Sequence, residues 1–146
     1  MKKNFTHLLR SVDNRTMCIK SGTWNETGEL CFSANGNMAS KICDTGDSVI
    51  KVDSIDNVVG DNKVSFIKLD VEGSELETLC GAEKTICRDM PILAVSAYHK
   101  KNDLIDLPKK IMSFNSGKKK YKIYLRNHSF VAAELVLYAI PVMNEN

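Results

Sequence analysis

Apolar and polar positions along the chain predict an alternating order of strands and helices, centred on residues 64–86. Val64-Ser65-Phe66-Ile67-Lys68-Leu69 is a short run rich in β-branched and aromatic residues, the pattern of a buried strand with Lys68 as its only charge. After Gly73 comes Ser74-Glu75-Leu76-Glu77, a Ser answered three residues later by Glu, which predicts a capping box at a helix start. Leu76, Leu79, Cys80, Ile86 and Cys87 fall near helical spacing, so this helix turns one face inward, and Gly81 predicts a break within it. Residues 91–98 (PILAVSAY) form a continuous apolar run, the signature of a parallel strand buried on both faces, and it ends at His99.

On the amino-terminal side, residues 4–12 predict a short helix with Phe5, Leu8, Leu9 and Val12 on one face. Residues 17–20 (MCIK), 29–33 (ELCFS) and 49–55 (VIKVDSI) predict strands, with a turn at 25–28, a polar loop over 33–47 and a polar turn over 57–63. On the carboxyl-terminal side, Leu104, Ile105, Leu107, Ile111, Met112 and Phe114 mark the inner face of a helix with Pro108 near its first turn. Residues 115–120 read as a turn, and 121–125 and 134–140 as two strands around a polar turn at 127–129. A connection that short makes the pair antiparallel, and Pro141 is expected to end the fold.

Between the central strand and helix lie Asp70 and Glu72. If the extended conformation persists, residues two apart point to the same side, beside the amides of the next helix. Carboxylates there either hold a cation, accept hydrogen bonds from a ligand or take a proton, or they only cap the helix. The lone Trp24, at a strand end, is either a stacking surface for a planar ligand or an ordinary rim aromatic.

Composition narrows the class without naming it. A length of 146 residues suits one domain, and 43% apolar with 26% charged residues is ordinary for a globular protein. A net charge of +2 predicts no strong pull toward nucleic acid or membrane, and Lys118-Lys119-Lys120 beside Tyr121 and Tyr124 reads as a solvated turn. No apolar run approaches the roughly 20 residues of a membrane span, so a cytoplasmic protein is expected. The five cysteines are odd in number and include no CxxC pair, which predicts reduced thiols acting as small hydrophobes. His7 and His128 fall at surface positions.

Three segments carry a resemblance: FIKLDVEGSELETLCGAEKTI, then PILAVSAYHKKNDLIDLP, then YLRNHS with ELVLYAIP. In that order and spacing they resemble the C-terminal half of FkbM-type methyltransferases, S-adenosylmethionine-dependent enzymes with a Rossmann-like sheet, over residues 4–141. The resemblance implies an α/β fold with a mostly parallel sheet closed by a C-terminal antiparallel hairpin. The family's first strand with its glycine-containing turn, and the next strand ending in an acidic residue, have no counterpart here. Residues 1–146 therefore read as a single, N-terminally incomplete methyltransferase domain lacking the first two strands. It should bind S-adenosylmethionine weakly and leave an open sheet edge at residues 64–69 that invites self-association.

By the same resemblance, Gly22, Thr23 and Trp24 follow the third family strand, where adenine commonly sits. Asp70 and Glu72 follow the fourth, facing the methionine end of the cofactor and the acceptor. His99 ends the fifth and meets the acceptor, placed to take a hydroxyl proton, with Glu72 as the second candidate base. The implied reaction is O-methylation of a hydroxyl on a sugar, glycan or natural product, with no metal. The alternative is a non-catalytic remnant that serves as an interaction module.

Overall fold

The computed structural model describes residues 2–33, 41–42, 48–114, 119–129 and 134–143. Their elements run α1 (Lys2–Ser11), β1 (Gly22–Thr23), β2 (Gly28–Ser33), β3 (Lys41–Ile42), β4 (Ser48–Asp53), α2 (Ile55–Val59), β5 (Phe66–Leu69), α3 (Glu75–Cys80), α4 (Glu83–Asp89), β6 (Ile92–Ser96), α5 (Asp103–Ser113), β7 (Lys119–Asn127) and β8 (Leu135–Met143). They form a mixed α/β fold with two sheets, ordered β1-β4-β2-β3 and β5-β6-β8-β7.

The expected mostly parallel sheet needs correction. Among the described residues only β1/β4 and β5/β6 pair in parallel, while β2/β4, β2/β3, β6/β8 and β7/β8 are antiparallel. Chain length between strands decides this. The segment between Thr23 and Gly28 is far shorter than the dozen or so residues a parallel crossover needs, so β2 runs back along β4. From β5 to β6 the chain passes through α3 and α4, which is long enough to return in parallel.

The second sheet carries the core. Ile67 and Leu69 of β5, Leu93 and Val95 of β6 and Leu137 of β8 pack with Leu79, Ile86, Leu107, Ile111 and Phe114 from the helices. Strand β6 is buried on both faces as its continuous apolar run predicts. Strand β5 alternates instead, with Ile67 and Leu69 inward and Phe66 and Lys68 exposed, and it lies at the sheet edge. Tyr121 of β7 donates its hydroxyl to Pro91 O at 2.8 Å, and burial pushes that phenol well above its ordinary pKa.

Other elements depart locally from expectation. Residues 17–20 form no strand, and the strand there is Gly22–Thr23, held to Val52 and Asp53. The polar turn over 57–63 begins inside helix α2, which Ser54 caps by accepting the Asn57 amide at 3.1 Å. Ser74 makes no side-chain cap, so the predicted capping box does not form. Gly81 does separate α3 from α4, yet Cys80 and Cys87 are exposed rather than inward. Leu8, Leu9, Leu104, Ile105 and Met112 are likewise about half exposed.

Pro108 lies inside α5 rather than in its first turn, because Asp103 already starts that helix, accepting the Lys100 amide at 2.7 Å. Strand β7 starts at Lys119, inside the predicted turn, and β8 runs past Pro141 to Met143. Pro141 pairs with Tyr121 at a register beyond the β6/β8 pairing, where a missing N–H costs no ladder bond to β6. The loop expected over 33–47 lies largely outside the described residues, apart from Ser33 at the end of β2 and the short strand Lys41–Ile42, and residues 115–118 lie outside them altogether.

Candidate functional site

Parallel pairing of β5 with β6, with Leu69 opposite Val95, sets the carboxyl ends of both strands side by side. In open α/β sheets this is where ligands bind. From β5 the chain enters Asp70 and then a tight turn in which the Ser74 amide reaches Val71 O at 3.3 Å. Both central residues have positive φ, Glu72 at 54° and Gly73 at 96°, the pattern of a type I′ turn. Gly73 suits its position because it adopts positive φ without strain, whereas Glu72 does not.

Asp70 and Glu72 do converge, though by a different route from strand alternation. The turn ends the extended conformation, and both carboxylates reach the same imidazole. His99 Nε2 lies 3.4 Å from Glu72 Oε2 and 3.8 Å from Asp70 Oδ1, while His99 Nδ1 lies 2.8 Å from Glu75 Oε1. The His99 side chain is 9% exposed and that of Glu75 1%. Tyr98 stacks beside His99 with ring centroids 4.2 Å apart and donates its hydroxyl to Asp70 Oδ1 at 3.1 Å. Burial, then the Asp70 carboxylate, pushes the Tyr98 phenol up.

Glu75 is the residue that sequence reasoning missed. It starts α3 as predicted, and its spacing to Thr78 and Leu79 also puts it on the buried face of that helix, a signal present in the sequence. Its Oε1 accepts the Val71 amide at 3.0 Å, which ties the turn to the helix. Three carboxylates facing one imidazole make a region of negative potential that attracts a cation or a hydroxyl proton.

Gly22, Thr23 and Trp24 lie apart from the imidazole, in an adjoining cleft of about 250 Å³. Leu30, Ile50 and Val52 line it from the first sheet, and Val71 and Ser74 from the acidic turn. Trp24 is partly buried, its amide donating to Asp53 O at 2.9 Å, and Thr23 shares a 3.0 Å hydroxyl contact with Thr78. The cleft and the cluster thus meet at the turn 71–74. Asp53 takes no part: hydrogen bonds from Thr27 first, and also from Asn57 and Ser54, occupy its carboxyl and hold it below the usual range. His128 is exposed and paired with the Tyr138 hydroxyl at 3.0 Å, and His7 is exposed on α1.

The described residues thus form a mixed α/β fold with three carboxylates and one imidazole gathered at the carboxyl ends of two parallel strands. The family model for the methyltransferase FkbM domain matches residues 37–128, and the chain belongs to that family. It is also similar to the crystal structure of methyltransferase FkbM from Methylobacillus flagellatus KT, with a TM-score of 0.71 and 30% identity. That match covers 94% of this chain and 32% of the other, so the chain spans about a third of that protein's length. No curated protein matches.

Proposed function

We propose that this chain contributes to S-adenosylmethionine-dependent methyl transfer to a hydroxyl oxygen of a sugar, glycan or natural product, within a Rossmann-like sheet. The observation that carries this reading is the convergence of His99, Glu72 and Asp70 at the ends of β5 and β6, beside the cleft of Gly22, Thr23 and Trp24. The non-catalytic interaction module is not favoured by these findings.

The residues present fit part of the cofactor. A cleft of about 250 Å³ falls below the roughly 300–1,000 Å³ of whole-ligand sites, but its walls of Leu30, Ile50 and Val52 suit a planar ring. Gly22, Thr23 and Trp24 would hold the adenine and Asp70 the methionine end. When bound, the cofactor supplies a methyl group already activated on a sulfonium.

The chain's own residues then have little to do beyond alignment and proton removal. His99 accepts the acceptor's hydroxyl proton at a ring nitrogen, Glu75 holds the ring from its buried side, and Glu72 is the second base. In this reading residues 1–146 act as one domain and the open side of β5 is available for self-association. A cytoplasmic setting goes with it, since the described Cys18, Cys80 and Cys87 are free thiols. No helix among the described residues is long and apolar enough to cross a membrane.

The test is transfer of labelled methyl from S-adenosylmethionine to a panel of hydroxyl acceptors, with binding followed by calorimetry. His99→Ala should cut transfer roughly 100-fold or more while leaving cofactor affinity unchanged. Full activity in that variant would remove His99 as the base.

A further inference from the structure

Glu75 and His99 are buried without being satisfied. Glu75 Oε1 accepts the Val71 amide, but Glu75 Oε2 and both His99 ring nitrogens have no partner of hydrogen-bond geometry among the described residues. The 2.8 Å approach of Nδ1 to Glu75 is close but poorly directed. Burying a charge is costly unless it is paired or binds a metal. A fold that places such groups together, side chains 1% and 9% exposed, at the mouth of a parallel strand pair, keeps them for a ligand.

Their arrangement identifies the ligand's chemistry. Asp70, Glu75 and His99 each offer a ligand atom, all within 4.8 Å of one another. Neighbouring ligand atoms around a cation with bonds of about 2.1 Å lie roughly 3.0–3.4 Å apart. One ion takes a single ring nitrogen of His99, and from Nε2 the separations to Glu72 Oε2 and Asp70 Oδ1 are 3.4 and 3.8 Å, at or just above that size.

We propose that Asp70, Glu75 and His99 form a binding site for a divalent transition-metal cation, with the exposed Glu72 carboxylate at its rim. One imidazole among carboxylates suits Mn²⁺ or Zn²⁺ better than Ca²⁺, which takes oxygen ligands alone. The supporting contacts are those that orient metal ligands: the Val71 amide on Glu75 and the Tyr98 hydroxyl on Asp70.

The site's catalytic role rests on the methyl-transfer reading, whereas binding of the ion does not. With the cation present, His99 serves as a ligand instead of a base. A cation held there would lower the pKa of an acceptor hydroxyl beside it. The hydroxyl proton would pass to the Glu72 carboxylate, and the electron pair left on oxygen would form the bond to the methyl carbon as that carbon's bond to the sulfonium breaks, its electron pair staying on the sulfur of the departing S-adenosylhomocysteine.

The experiment is titration of the full chain with Mn²⁺ alone, followed by electron paramagnetic resonance with no methyl donor present. Free-ion signal should fall with one ion taken up per chain, at roughly micromolar affinity. Asp70→Asn, an exposed change that leaves the core intact, should weaken binding about 10-fold or more, and Glu75→Gln at least as much. Zn²⁺ should displace the Mn²⁺. Circular dichroism confirms that both variants fold. No uptake at millimolar Mn²⁺, or uptake unchanged in the folded Asp70→Asn chain, overturns the site. Uptake by a chain that transfers no labelled methyl from S-adenosylmethionine to any hydroxyl acceptor upholds the site and removes the methyl-transfer reading instead.

Discussion

The two sheets differ in what covers them. Helices α3, α4 and α5 supply Leu79, Ile86, Leu107 and Ile111 to the sheet β5-β6-β8-β7, all fully buried. Against this, Val52 is the one buried hydrophobic among the described residues before Ile67, and Val49 in the same strand is 60% exposed. A sheet stabilises a domain only when its apolar face is packed against another layer. The packed half also holds the acidic turn and His99, so the chemistry sits on the rigid part and the other half lends a cleft wall. Contacts at Gly81 join them: Asp56 N donates to Gly81 O at 2.8 Å, and the Trp24 carbonyl lies against the Gly81 Cα.

Core truncation gives the largest test of this contrast. Leu93→Ala, at a fully buried site in β6, should cost about 2–5 kcal/mol in urea unfolding. Val49→Ala, on the first sheet, should stay within about 0.5 kcal/mol. Equal costs would erase the difference between the halves.

Next in size is the junction. Gly81 has φ −74°, which any residue adopts, but an added Cβ would collide with the Trp24 carbonyl oxygen. Gly81→Ala should therefore destabilise by about 1–3 kcal/mol and speed amide exchange at Trp24 while β6 stays protected. A rise in stability, as helix propensity alone would give, would show that the halves are not tightly joined there.

The smallest effect is one of acid. Asp89, at the end of α4, has its carboxyl held at about 2 by the Arg88 guanidinium and then by the Val64 amide at 2.8 Å. Arg88 also clamps the 60–62 turn through Gly60 O and Asn62 O, both at 2.7 Å. A carboxyl whose folded pKa is depressed stabilises fully above its unfolded value of about 3.9, and that contribution is lost as pH falls toward 2. Melting temperatures across pH 7 to pH 2 should drop over that window, and Asp89→Asn should flatten the Asp89 part of the drop. An unchanged acid profile in the variant would place the acid sensitivity elsewhere.

Much of the packed half was legible in the chain. The apolar run over 91–98 predicts a strand buried on both faces, found at Ile92–Ser96, and the β7–β8 hairpin follows from its short connection. In the thin half, residues 17–20 have strand-like composition but no partner strand along them among the described residues. Propensity alone does not make a strand, because its backbone bonds must be answered by a neighbour. The candidate site was half legible. Asp70, Glu72 and His99 are marked by position after strands, while Glu75 does begin α3 as its spacing predicts, and its burial beside His99 comes from the tertiary packing of that helix.

The sequence by itself determined which segments are apolar enough to enter a core, where the helix breaks at Gly81, and which residues stand at the ends of β5 and β6. Those are local properties, set by side-chain type and spacing. Only the tertiary structure decided that the strands form two sheets with mixed directions, that the Ser74 cap goes unused, and that Glu75 joins Asp70 and Glu72 around His99. Such outcomes depend on pairing between distant segments and on a turn with two positive φ angles, which no local pattern of residues contains.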